Sequence, residues 1–144
     1  MKRIRNAPVM TIRGAHLRIP ERDVVGDIVF KDGSTVPSMV NSTVATLLLD
    51  LIFQIPGEWL THQDTLHMDR LYNQLVGALK SDLEDTQIVI PIEEGEWEWV
   101  DKKLSDDRIG PRLFRANLQP LKHQLQNLAQ ENELPQTNNP ALAL

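Results

Sequence analysis

Apolar positions are densest near the middle of the chain. Residues 41–55 read NSTVATLLLDLIFQI, and Val44, Ala45, Leu47, Leu48, Leu49, Leu51, Ile52, Phe53 and Ile55 fall on nearly every side of a helical wheel. A helix with that pattern must be covered by the rest of the protein, so the spacing predicts the central core element. Asn41, Ser42 and Thr43 offer side-chain oxygens to cap its first turn, and Pro56-Gly57 stops it. Spanning a bilayer takes about 20 apolar residues. This run is shorter and interrupted by Asp50, so it reads as buried in protein with no membrane contact.

On either side the period changes. In PVMTIRGAHLRIP, residues 8–20, a tight turn at Gly14-Ala15 sets Ile12 opposite Leu17 and Met10 opposite Ile19, which predicts a first hairpin. In VVGDIVFKDGSTVPSMV the Asp32-Gly33 pair sets Phe30 opposite Thr35 and Val29 opposite Val36, with Pro37 confined to an edge. In QIVIPIEEGEWEWV a two-residue turn at Glu94-Gly95 puts Ile92 opposite Trp97 and Ile90 opposite Trp99, with Ile88 extending the same stripe.

Helical spacing returns twice. Thr61 followed by Asp64 reads as a capping box, and Leu66, Met68, Leu71, Tyr72, Leu75, Val76 and Leu79 form the apolar face of a second, amphipathic helix. Pro111 suits the first position of a third helix, in which Phe114, Leu118, Leu121, Leu125 and Leu128 form a seam. Pro120 interrupts this helix as a kink or as a restart. The seam is either a core face or a docking face.

The fold class that follows is α+β: short antiparallel hairpins packed around a buried central helix, with a second amphipathic helix and a broken C-terminal helix. Residues 1–131 form a single domain whose residues 1–7 are a basic arm, and residues 132–144 read as a flexible tail.

Composition narrows the chemistry. The chain of 144 residues has no cysteine, which excludes disulfides, thiolate metal sites and a cysteine nucleophile. Its start, MKRIRNAPVM, lacks the apolar run of a signal peptide, so the expected location is the cytoplasm. The net charge of −5 conceals a division: residues 1–22 carry Lys2, Arg3, Arg5, Arg13, Arg18 and Arg22 against Glu21 alone, leaving an excess of acid in the remainder. Such a layout favours either an anionic partner for the first segment or contact between copies.

Candidate catalytic groups do not assemble into a motif. His62, Asp64, His67 and Asp69 crowd one helix start, but His62 and His67 lie five residues apart and point to different faces. The acidic residues Glu93, Glu94, Glu96, Glu98, Asp101, Asp106 and Asp107 read as a solvated face, the competing reading being a metal-dependent hydrolase that uses Glu94, Glu96 or Asp101. No metal or cofactor is expected, and no catalytic residue is assigned.

A short basic strand segment, an apolar helix, a helix with an Arg-x-Tyr step at Arg70 and Tyr72, an extended acidic stretch and a closing helix follow one another. Over roughly residues 5–128 this order resembles small accessory proteins of tailed bacteriophages. The resemblance is one of layout, carries over no functional residue, and implies a small binding, assembly or host-modulating protein, in host cytoplasm or virion. The expected function is therefore non-enzymatic, a protein-interaction or assembly subunit able to self-associate. Its partner-binding residues are Arg3, Arg5, Arg13 and Arg18, the aromatic pair Trp97 and Trp99, and Leu118, Leu121 and Leu125 of the seam. The alternative is a nucleic-acid-binding regulator or host-modulating inhibitor acting through the basic N-terminal segment.

Overall fold

A computed structural model describes residues 1–23 and 25–131; the expected tail, 132–144, lies outside the described residues. The apolar run forms helix α1 (Val44–Gln54), with Val44, Ala45, Leu47, Leu48, Leu51 and Ile52 buried. Every amide of its first turn is claimed. Val44 N–H donates to the Ala7 carbonyl at 3.0 Å, Ala45 N–H to Asn6 Oδ1 at 2.8 Å, and Thr43 and Thr46 form a reciprocal capping box. The cap is thus Thr43, and the buried Asn6 reinforces it from a distant part of the chain.

The first segment of the chain is a strand where a basic arm was expected. β1 (Lys2–Arg5) pairs antiparallel with a strand far along the chain, and the buried Ile4 fixes it to the core. β2 (Arg18–Pro20) and β3 (Met39–Asn41) form a second antiparallel pair. Helix α2 (His62–Leu79) starts at the expected Thr61–Asp64 box and packs on α1. β4 (Val89–Ile92) then supplies the partner of β1, with Ile4 opposite Ile90 and Lys2 opposite Ile92. Helices α3 (Glu94–Ser105), α4 (Gly110–Phe114) and α5 (Leu118–Glu131) complete an α+β fold, α4 and α5 being joined by a 3₁₀ turn, Arg115–Asn117.

The third hairpin is therefore not formed. Its apolar stripe is real, since Ile88, Ile90 and Ile92 are all buried, but the stripe pairs with β1, and Glu94-Gly95 opens a helix. Helix wins because Glu94 and Glu96 sit in its first turn and Lys102 and Lys103 in its last, complementing the helix dipole. As a helix, the segment also buries Trp99, Val100, Lys103 and Leu104 along one face.

Both remaining hairpins form with different loops. At the first, Met10 bridges His16 and Thr11 N–H donates to the Ala15 carbonyl, which leaves Ile12 at the tip and not opposite Leu17. Gly14 takes φ 79°, and Thr11 Oγ1 accepts from the Arg13 and Ala15 amides; this side-chain-stabilised three-residue loop displaces the expected two-residue turn. At the other, Phe30 bridges Pro37, and Lys31 N–H donates to the Val36 carbonyl across a four-residue loop. Ser34 stabilises that longer loop, donating from Oγ to the Lys31 carbonyl and accepting from the Val36 amide.

These segments join in a three-sided stem. Leu17 N–H donates to the Val9 carbonyl, Ser42 N–H to Leu17 and Val9 N–H to Ser42, a closed ring of three backbone bonds. A second ring links Val29 to Glu21, Ser38 to Val29 and Glu21 to Ser38, with β2 and β3 running between the two rings. Each segment gives one bond and takes one, so short strands close on themselves without an open edge at these levels. Arg22 ties the stem to the body by its 2.9 Å ion pair with the buried Asp50 of α1.

The leucine seam lies in the core: Phe114, Leu118, Leu121, Leu125 and Leu128 are buried. The break falls at Arg115, which has φ 49°, and Pro120 sits within the first turn of α5, where its missing N–H costs little.

Candidate functional site

Charged side chains converge between α2 and α3. Asp64 accepts the Thr61 amide at 2.9 Å and the Trp99 indole N–H at 3.0 Å, and its Oδ1 lies 3.2 Å from Lys103 Nζ. Burial acts to raise the carboxyl pKa. The hydrogen bonds from Thr61, Trp99 and Lys103, with the charge of Lys103, outweigh it and hold Asp64 well below the usual carboxylate range. Asp64 is thus a fixed anion that clamps α3 to the start of α2, and a group held so firmly ionised is a poor proton donor.

One turn further, Glu96 is only 2 % exposed, contrary to its expected place on a solvated face. Arg70 Nη1 lies 3.8 Å and His67 Nδ1 4.0 Å from its carboxylate oxygens, beyond hydrogen-bond reach. Both Glu96 Oε1 and His67 Nδ1 are buried without a hydrogen-bond partner. His67 borders a hollow of about 260 Å³ that Gln63, Gly95 and Lys102 also line.

The carboxylates that a hydrolase would need do not meet. Glu94 faces the amino terminus, 3.7 Å away, while Asp101 lines a separate groove and Glu96 points into the α2 contact. Among the described residues no group of three or more histidine and acidic side chains is placed to hold a metal ion.

The expected partner-binding residues disperse. Arg5 is engaged by Glu131, with Nε 3.0 Å from Oε1, and Arg3 lies in β1 facing Pro91 across the ladder. Arg18 donates to the Met39 carbonyl at 3.2 Å. Arg3, Arg13 and Arg18 are exposed, and Arg13 sits at the first hairpin tip. Trp99 is buried and bonded to Asp64, and Leu118, Leu121 and Leu125 pack in the core, Leu125 also bordering a groove beside Trp97. Trp97, half-buried, is the exception.

Two other surfaces take their place. The hairpin over residues 30–37 projects from the stem with Phe30 51 % and Val36 54 % exposed, and its hydrogen bonds among the described residues are internal to the stem. The second is a groove of about 220 Å³ between α3 and α5, floored by Trp97, Val100, Leu104 and Leu125 and rimmed by Glu98 and Asp101. A sequence signal for the first existed in the apolar residues flanking Asp32-Gly33; none existed for the groove, which needs two helices of unknown relative position.

Compared with known proteins, the chain matches no family model, no curated protein and no solved structure. Among the described residues no helix is long and apolar enough to cross a membrane.

Proposed function

We propose that this protein is a non-enzymatic interaction subunit that grips other protein surfaces through the tips of its hairpin stem. The observation that carries this reading is the projecting hairpin, where Phe30 and Val36, at successive ladder positions, are each more than half exposed, beyond a stem that is closed by backbone rings and pinned to α1 by Arg22 and Asp50. A large aromatic on a rigid, preorganised tip loses little conformational freedom on docking and supplies the kind of anchor that dominates protein interfaces. The resemblance in layout to phage accessory proteins agrees with an assembly role.

The test replaces Phe30 by a photo-cross-linking aromatic in the full chain, in the cells that make it. A discrete adduct lost on adding Val36→Ser supports the reading, and no adduct at any irradiation dose overturns it. Because both side chains are exposed, Phe30→Ser and Val36→Ser are expected to change stability by less than about 0.5 kcal/mol, so loss of contact is separable from loss of fold. The nucleic-acid alternative is weaker because Arg5 and Arg22 of the basic segment are already engaged by Glu131 and Asp50. Salt-steep retention on heparin that Arg13→Ala and Arg18→Ala abolish would favour it instead.

A further inference from the structure

The groove between α3 and α5 and the first hairpin tip have complementary chemistry, and they lie on opposite flanks of the same helix. Trp97, Val100, Leu104 and Leu125 give the groove an apolar floor, and at its rim Glu98 and Asp101 make no ion pair within the described residues. Lys122, also at the rim, is turned to Ser105 Oγ at 2.8 Å. Such a site suits a short segment with an apolar side chain next to a cation: the apolar group covers the floor and the cation meets the carboxylates.

The first tip is such a segment. Ile12 is 61 % exposed and Arg13 follows it, with no acidic residue anywhere before Glu21. The loop is held rigid from both sides. Thr11 Oγ1 accepts from two of its amides, Ile12 N–H donates to Asn117 Oδ1 at 2.9 Å, and Gln124 clasps both the N–H and the carbonyl of Met10. The neighbouring turn between Asp23 and Asp27 carries two carboxylates, which the groove rim would repel, and the projecting hairpin sets Asp32 beside Lys31. Only the first tip has the matching charge.

A tip cannot reach the groove of its own copy. Gln124 of α5, with Asn117 just before it, holds the tip on one flank, whereas Lys122 and Gln126, which line the groove, each lie about 160° around the helix from Gln124. We propose that copies associate head to tail, the Ile12–Arg13 tip of one seated in the α3/α5 groove of the next. This deepens the interaction reading above by naming a second copy as partner at a surface separate from Phe30 and Val36. The contact is heterologous, so it builds rings or filaments.

Two variants of the full chain test it by light scattering on size-separated protein at about 0.1 mM and low salt. In one, Ile12→Ser with Arg13→Ser removes the tip; in the other, Asp101→Lys reverses the groove rim. Unmodified protein is expected to associate, with a dissociation constant rising at least tenfold as salt increases. Each variant alone is expected to be monomeric, and a mixture of the two to form one-to-one dimers that do not grow, since one intact tip meets one intact groove. Unmodified protein that stays monomeric, variants that associate like it, or a mixture that fails to pair overturns the proposal. Those failures leave the Phe30 reading standing, because neither variant touches that hairpin, and loss of the Phe30 adduct leaves this one standing.

Discussion

At the scale of single residues, the most consequential group is Asp64, which serves helix capping, indole binding and ion pairing at once. Asp64→Asn keeps the shape but leaves the buried Lys103 ammonium without its counter-charge, a loss of roughly 3 kcal/mol at neutral pH. The pH dependence has a definite sign. Since the folded carboxyl lies below its ordinary value, its stabilisation is complete above that value, which is about 4 in the unfolded chain. It then declines as the pH falls toward the folded value. Urea melts between pH 7 and pH 2.5 should therefore show the gap between native chain and Asp64→Asn narrowing with acid; a gap independent of pH would refute the assignment.

Arg115 offers the opposite case, a side chain in a backbone conformation that suits glycine, with φ 49°. Relieving it by Arg115→Gly is expected to raise stability by about 1 kcal/mol, measured by urea denaturation. At Gly110 the reverse holds, because a Cβ there would collide with the Leu104 carbonyl oxygen. Gly110→Ala should cost at least about 3 kcal/mol and lower the midpoint of thermal unfolding accordingly.

Among elements, α1 was legible in nearly every respect, because a segment apolar on all sides has one stable environment. Less legible was who caps it. Asn6, which accepts the Ala45 amide from within the core, sits 39 positions away, and no local pattern announces such a bond. Asn6→Ala is expected to destabilise the protein by about 2 kcal/mol, read from chemical denaturation, since it leaves a buried amide unpaired. The α3 segment shows a different limit. Glu96-Trp97-Glu98-Trp99 alternates with period two, yet the residues that decide its structure are Val100, Lys103 and Leu104 further on, which share a helical face with Trp99. The β4 stripe was correctly apolar, but its partner β1 was hidden by the basic residues that flank Ile4. Hairpin positions were evident from Gly14 and Gly33, while their registers depended on the side-chain oxygens of Thr11 and Ser34. The buried Glu96 went unread because charge in sequence carries no information about facing.

Across the whole molecule, the chain divides its labour between a body of helices and a stem whose ends are unequal. The first tip is fastened to α5 through Asn117 and Gln124; the projecting hairpin touches little beyond the stem itself. Replacing residues 32–35 by Asn-Gly should therefore shift the thermal midpoint by less than about 2 °C, whereas Gln124→Ala, which frees both polar groups of Met10, should lower it by about 5 °C. Differential scanning calorimetry distinguishes the two. Equal shifts would mean that the projecting hairpin supports the fold instead of extending from it.

The pairing of residues 2–5 with residues 89–92 also has a consequence during synthesis. A nascent chain displays its most water-averse helix before the ribosome delivers α2, on which it packs, and β1 waits longer still for β4. The protein thus passes through an interval in which α1 is complete but uncovered, a period in which a chaperone that recognises aliphatic segments would find its target at Leu47, Leu48 and Leu51.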